Sequence, residues 1–240
     1  MAREISVERR PCYNAGAAIA RAFSSLHRFW RAPAMATDVR QPALRMMWAE
    51  DDELVLSLAP LQGRWSEEQY LLLTDQTNRL VEFTDGHIEV LPMPTDTHQA
   101  ISQRLFLALL AFVQRLGGIV RYAPLRVRIR PEKFREPDLL LVRDAGDSRR
   151  QDRYWLGADL VAEIVSPDNP ERDTRDKVMD YAEARIPEYW IIDSEAAAIT
   201  VLILVGDTYH EHGVFQRGDT ATSVVLDGFA IGVDEVLGAR

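Results

Sequence analysis

The chain has 240 residues, 47% of them apolar, a length suited to one domain with an extension and a composition that excludes wholesale disorder. One cysteine, Cys12, excludes a disulfide framework and a Cys-rich zinc site, and suits a reducing cytoplasm. The net charge of −9 is uneven: residues 1–50 hold 8 basic against 4 acidic residues, while the remainder carries −13.

Residues 1–60 are expected to be a poorly ordered N-terminal extension, and 61–240 the folded domain. Within the extension Ile19, Phe23, Leu26 and Trp30 form an apolar helical stripe beside Arg21, Arg28 and Arg31. That stripe suits a membrane-surface or Arg-rich targeting helix, or an extension upstream of a later start at Met35, Met46 or Met47. No run approaches the ~20 apolar residues of a membrane span. Residues 66–77 read as a helix opened by Ser66 and Gln69, an S-x-x-Q capping box. Residues 80–83 and 87–91 flank Thr84-Asp85-Gly86, a hairpin signal, with Glu82 on the first strand. A hairpin glutamate is ordinarily solvated.

Residues 97–116 carry the strongest helical period, Ile101, Leu105, Leu109, Phe112 and Leu116 among them, and stop at Gly117-Gly118. His98 lies in the first turn, as a surface residue or a site residue. Strands are expected at 119–122 and 125–129. In the second, Arg126, Arg128 and Arg130 alternate with Leu125, Val127 and Ile129. The arginine row reads as a solvated edge or as the basic stripe where an otherwise acidic domain would meet phosphates. The polar segment 143–158 reads as a linker, although Arg149, Arg150 and Arg153 lie close to Tyr154 and Trp155.

The informative stretch is 138–190. Glu136-Pro137-Asp138 precedes the apolar run Leu139-Leu140-Leu141-Val142. A second run, Leu160-Val161-Ala162-Glu163-Ile164-Val165, carries an acid in its middle. Such runs suit strands covered on both faces, where a carboxylate needs a cation, hydrogen bonds or a raised pKa. Two acids converging from adjacent strands make a hard-cation site, since Mg²⁺ takes oxygen ligands and keeps several waters. A helix at 171–185 follows, with Asp173 and Lys177 four apart: a surface ion pair worth ~0.3–0.5 kcal/mol, or a lysine delivered to the acids. Tyr181 shares that face. Lys133 and Lys177 are the chain's only lysines.

From residue 198 onward strands and turns follow. His210 and His212 would share one strand face, and residues 224–230 would complete the sheet. No Walker loop, dinucleotide fingerprint, G-x-S-x-G elbow or His-Glu-x-x-His motif is present.

Pro137-Asp138, Glu163-Ile164-Val165, Arg172-Asp173 with Lys177, and Glu188-Tyr189-Trp190-Ile191-Ile192-Asp193 together resemble the Uma2 (DUF820) family of the PD-(D/E)XK, restriction endonuclease-like superfamily. The resemblance runs from about Trp65 to Phe229 and includes 80–88 and Pro94 to His98. It implies an α/β fold: a restriction endonuclease-like mixed sheet flanked by helices, with an N-terminal β-hairpin. It implies a metal-dependent endonuclease hydrolysing phosphodiester bonds of nucleic acid, chiefly DNA. Asp138, Glu163 and the Ile164 carbonyl would bind Mg²⁺ or Mn²⁺, Lys177 would act on water or developing charge, and Glu82 and His98 would assist. One departure stands: two residues after the glutamate the superfamily places lysine, and this chain has Val165, so Lys177 takes that part from the helix. Similar families form dimers, so a homodimer is compatible. The alternative is an inactive nuclease-fold module that binds nucleic acid or a protein partner, or acids that form only a buried structural network.

Overall fold

The computed structural model describes residues 43–47 and 53–238. The apolar stripe of residues 19–30 lies outside the described residues. A first hairpin pairs β1 (Ala43–Met47) with β2 (Glu53–Ser57), antiparallel. Helix α1 (Glu67–Thr74) follows, opened by the expected box: the Gln69 amide donates to Ser66 Oγ at 3.2 Å, and the Ser66 amide to Gln69 Oε1 at 3.0 Å.

The domain is organised on two sheets. The smaller has strand order β4-β3-β7-β6: β3 (Val81–Thr84) and β4 (His87–Val90) are the hairpin turned at Asp85-Gly86, and β6 (Val127–Arg130) and β7 (Lys133–Arg135) pair beside it. Its core is aromatic. Tyr70 of α1 stacks on Phe83, 5.0 Å between centroids, and packs at 5.4 Å against Phe134, with the Tyr70 hydroxyl donating to the Val81 carbonyl.

The larger sheet has order β12-β11-β10-β9-β8-β5. Its strands are β5 (Ile119–Tyr122), β8 (Leu139–Val142), β9 (Leu160–Ile164), β10 (Glu188–Asp193), β11 (Ala198–Val205) and β12 (Thr208–Gln216). Only the central pair, β9 with β10, is parallel. A parallel pair requires a crossover, and this one carries a π-helical turn, Arg172–Asp176, and then α3 (Lys177–Glu183). The two β runs legible in the sequence are buried along their whole length. Leu139 and Leu141, with Leu160, Ala162 and Ile164, face α2 (Asp96–Val113), while Leu140, Val142 and Val161 face the α3 side with Tyr181 and Tyr189. Helix α2 buries Ile101, Leu105, Leu109 and Val113 at spacing four, so truncating Leu105 to alanine would cost about 2–5 kcal/mol. Gly117 ends that helical run in the left-handed region, φ 82°. Gly118 then passes so close to β8 that a Cβ would sit 2.5 Å from the Val142 carbonyl.

Two expectations are corrected here. Residues 224–230 do not complete the large sheet. Residues 224–229 form a loop that inserts Leu226 and Phe229 into the core and leads to β14 (Ala230–Gly232), which pairs with β13 (Thr220–Thr222) as a separate ribbon before α4 (Val233–Leu237). Buried Glu188 holds that loop, accepting from the Val224 and Val225 amides at 2.7 and 2.8 Å. His210 and His212 do not alternate along a regular strand either, because the β11–β12 register slips between Val201 and Leu202. His212 is the extra residue of that bulge, facing Thr222 Oγ1 at 3.0 Å. Among the described residues, no helix is long and apolar enough to cross a membrane.

Candidate active site

The site lies where the chain passes from one sheet to the other. Strand β7 ends at Arg135, Glu136-Pro137 bridges, and β8 begins after Asp138. Proline suits such a junction because it supplies no amide to either ladder. The β8–β9 register pairs Leu139 with Ala162, which, continued one step, sets Asp138 opposite Glu163. The pair is locked reciprocally. The Ile164 amide donates to Asp138 Oδ2 at 2.7 Å, and the Asp138 amide donates to Glu163 Oε2 at 3.3 Å.

Like charges opposite one another on a sheet repel, and Lys177 resolves the conflict. Its ammonium lies 2.8 Å from Glu163 Oε1, 3.1 Å from Asp173 Oδ1 and 3.6 Å from Glu82 Oε1. Lys177, Glu163, Glu82 and Asp173 are each no more than 4% exposed. The Asp173–Lys177 pair is therefore no surface ion pair, and Glu82 is not a solvated hairpin residue. The Tyr181 hydroxyl donates to the same Glu163 oxygen as Lys177. The crossover sets this geometry. Its π-helical turn, closed by the Lys177 amide on the Arg172 carbonyl, leads directly into α3 and its buried Lys177 and Tyr181.

His98 comes from the first turn of α2, with Nε2 3.1 Å from Asp138 Oδ2 and Nδ1 buried without a hydrogen-bond partner. Burial lowers its proton affinity, but the hydrogen bond and charge of Asp138 outweigh that, and its pKa is raised. For Glu163, burial dominates and pushes the pKa up to about 8, with Lys177 opposing and Asp138 adding. Three donors nevertheless converge on its oxygens, which is the arrangement of a carboxylate. Lys177 keeps its charge. Burial works against it, but Glu163, Glu82, Asp173 and Asp138 hold its pKa well above the ordinary lysine value.

All the sequence candidates, Asp138, Glu163, Ile164, Lys177, Glu82 and His98, thus meet in one cluster. The sequence reading missed the shell beneath it. Arg135 Nε lies 3.6 Å from Glu82 Oε2 and donates to Asp180 Oδ2 at 2.7 Å. The other lysine, Lys133, also contacts Asp180. Glu136 is buried, accepts from the Val81 amide at 3.0 Å, and has its pKa pushed up to about 8 by burial first. The signal was the alternation Lys133-Phe134-Arg135, which places the two cations on one face of β7. The basic stripe is corrected in part: β6 is an edge strand of its sheet, but Arg126, Arg128 and Arg130 are only partly exposed and are not free for phosphate. Each meets a carboxylate, Asp75, Glu67 and Asp85 respectively, at 3.1, 3.0 and 2.7 Å. Arg149 and Arg153 are likewise engaged, with Asp147 and Asp159 and with Asp75.

Among the described residues, no group of three or more His, Cys, Asp or Glu is arranged to hold a metal ion. Two adjacent carboxylates nevertheless suit a hard cation that draws its remaining ligands from water and a substrate phosphate, which is the usual protein share for Mg²⁺. The residues present fit the group on those terms.

A family model described as "Putative restriction endonuclease", Uma2, matches residues 67–234. The chain belongs to the Uma2 family. That match spans every residue of the cluster from Glu82 to Lys177. Among solved structures, this Uma2 chain is similar to a protein of Anabaena variabilis described as "a putative nuclease belonging to DUF820". The identity is 16%, the TM-score 0.57, and the match covers 67% of this chain and 91% of that one. At that identity the likeness establishes the fold, the restriction endonuclease-like mixed sheet. No functionally curated protein matches the chain.

Proposed function

We propose that this Uma2 chain is a metal-dependent endonuclease that hydrolyses phosphodiester bonds in nucleic acid, DNA foremost. One observation carries the reading: two carboxylates, Asp138 and Glu163, face each other across β8 and β9, and a buried lysine sets its ammonium 2.8 Å from Glu163. The family description and the fold likeness support the nuclease class. Asp138 and Glu163 would hold Mg²⁺ or Mn²⁺, with the Ile164 carbonyl as a further ligand on the family pattern. When bound, the ion supplies Lewis-acid charge and a more acidic water.

The chain's own residues do the rest. Lys177 offsets negative charge developing on phosphoryl oxygens, in a site dry enough for that charge to count. Glu82 and Asp173 fix the ammonium's position. Tyr181 orients the Glu163 carboxylate, and His98 orients Asp138 from the open side of the site.

A second reading has its own observation. The Glu163 oxygens are already occupied by Lys177, Tyr181 and the Asp138 amide, as they would be in a purely structural ion network. One experiment separates the two: calorimetric titration of Mg²⁺ or Mn²⁺ into wild type and Asp138→Ala, with plasmid nicking on the same samples. Metal binding and nicking present in wild type and absent in the variant are expected. A wild type that binds no metal, with melting unaffected by Mg²⁺ and a variant that only loses stability, would refute the nuclease reading in favour of the structural one.

A further inference from the structure

A nuclease must hold the strand it cuts, and the basic stripe legible in the sequence is consumed by carboxylates. The grip has to lie elsewhere. Strand β5 is an edge of the large sheet and neighbours β8, the strand that Asp138 precedes. The β5–β8 register pairs Tyr122 with Leu139 and Arg121 with Leu140, and the Ala123 amide donates to the Asp138 carbonyl at 3.2 Å. The end of β5 is thus tied by its backbone to Asp138.

Two side chains there are unlike the rest of the domain. Tyr122 is 58% exposed and is the one exposed Phe, Tyr or Trp among the residues whose burial is described. Its ring is not loose. Phe106 of α2 meets it edge to face, centroids 5.2 Å apart and planes at 90°, which leaves the ring supported and its surface open. Arg121 is exposed too. Among the described residues no carboxylate lies within ion-pair distance of it, and its recorded hydrogen bond is to the neighbouring Val120 carbonyl, 2.9 Å. Cross-strand partners share a face. Arg121 therefore lies on the Leu140 side of the sheet, the side of Asp138, and Tyr122 on the α2 side.

We propose that Arg121 and Tyr122 form a substrate-strand grip, in which Arg121 takes a backbone phosphate and the Tyr122 ring stacks an unpaired base flanking the phosphate presented to Asp138. This rests on Asp138 marking the cleavage site. A cation and a platform aromatic at adjacent positions are the two elements by which single-stranded nucleic acid is held without sequence readout. The arrangement also accounts for binding by an acidic domain, because the cation needed is local and unspent.

The test is fluorescence anisotropy of a labelled single-stranded oligodeoxythymidine with the full chain in Ca²⁺, across a salt series, with plasmid nicking in Mg²⁺ run in parallel. Tyr122→Ala is expected to weaken binding about tenfold and Tyr122→Phe to restore it, since stacking needs the ring and not the hydroxyl. Arg121→Ala is expected to lower the salt slope by about one. Arg115→Ala, an exposed arginine at the far end of α2 that bonds the Ala111 carbonyl, is expected to bind as wild type. If Tyr122→Ala and Arg121→Ala bind as tightly as wild type, the grip is refuted, and Asp138-dependent nicking would still stand. If wild type nicks duplex but holds no single strand, the grip is refuted as well. Tyr122-dependent binding without any nicking upholds the grip and withdraws the nuclease reading.

Discussion

Replacing Lys177 by methionine tests whether the cluster is one electrostatic unit. The substitution keeps the length of the side chain and removes its charge. It leaves Glu163, Asp173 and Glu82 facing one another with their shared cation gone, all within 3.6 Å of the missing ammonium. Were the lysine a surface partner of Asp173 alone, the loss would be ~0.3–0.5 kcal/mol. Breaking a buried ion pair by removing one partner instead costs about 3–5 kcal/mol, because a charge stays buried and uncompensated. The cost should also depend on pH. Burial already raises Glu163 to about 8 while Lys177 opposes it, so losing the lysine raises it further and the variant takes up a proton. Acidification neutralises the orphaned acid, and the gap between variant and wild type narrows as pH falls from above toward about 8, where wild-type Glu163 also takes up its proton. Lys177 itself adds no pH dependence there: its raised pKa makes its contribution fully present below the ordinary lysine value. Urea unfolding followed by the fluorescence of buried Trp190, at pH values above and below Glu163's, measures both quantities. A loss under about 1 kcal/mol, or a gap that does not change with pH, would refute the argument that Lys177 is the cluster's buried counter-charge.

Glu136, pushed up to about 8 by burial, contributes stability that is present below its unfolded value of 4.5 and is lost as pH rises through 8. In EDTA, Glu136→Gln should therefore flatten the fall in unfolding free energy between about pH 6 and 8 by about 2 kcal/mol, and an unchanged slope would contradict the assignment. Glu188, wholly buried, accepts from Trp190 Nε1 at 2.6 Å and from the Val224 and Val225 amides. Glu188→Ala should cost about 1–3 kcal/mol by leaving the buried Trp190 Nε1 unpaired, and should speed hydrogen exchange at both loop amides. Unaltered exchange there would show that the loop is held by Leu226 and Phe229 instead.

What the sequence shows and hides follows from the range of each interaction. Asp138 and Glu163 were legible because an acid at the edge or middle of an apolar run is a local anomaly whose cost must be offset nearby. Ser66 and Gln69, the Asp85-Gly86 turn and the Gly117 stop are equally local, and each appears where its chemistry puts it. Arg126, Arg128 and Arg130 misled because their partners, Asp75, Glu67 and Asp85, lie 45 to 61 positions away in the chain. Alternation tells which way a side chain points and nothing about what it meets. Glu82 was reached through the family resemblance alone, for the same reason: its hairpin is ordinary, and only the packing of the two sheets brings it to Lys177. The bulge at His212 has no marker but Gly213, and one inserted residue is enough to undo a reading based on period two.

The π-helical turn at Arg172–Asp176 has a mechanical consequence. Each residue of an α-helix advances the chain by about 100° around its axis, so the wide turn fixes the angular phase of all that follows in α3. Five residues wound at the ordinary α pitch would carry Lys177 and Tyr181 together about a quarter-turn further round, away from Glu163, and the wide turn absorbs that extra residue. The Lys177 cluster is therefore keyed to the sheet by the one residue this turn absorbs, and a further residue inserted after it would turn the lysine and Tyr181 out of phase with Glu163.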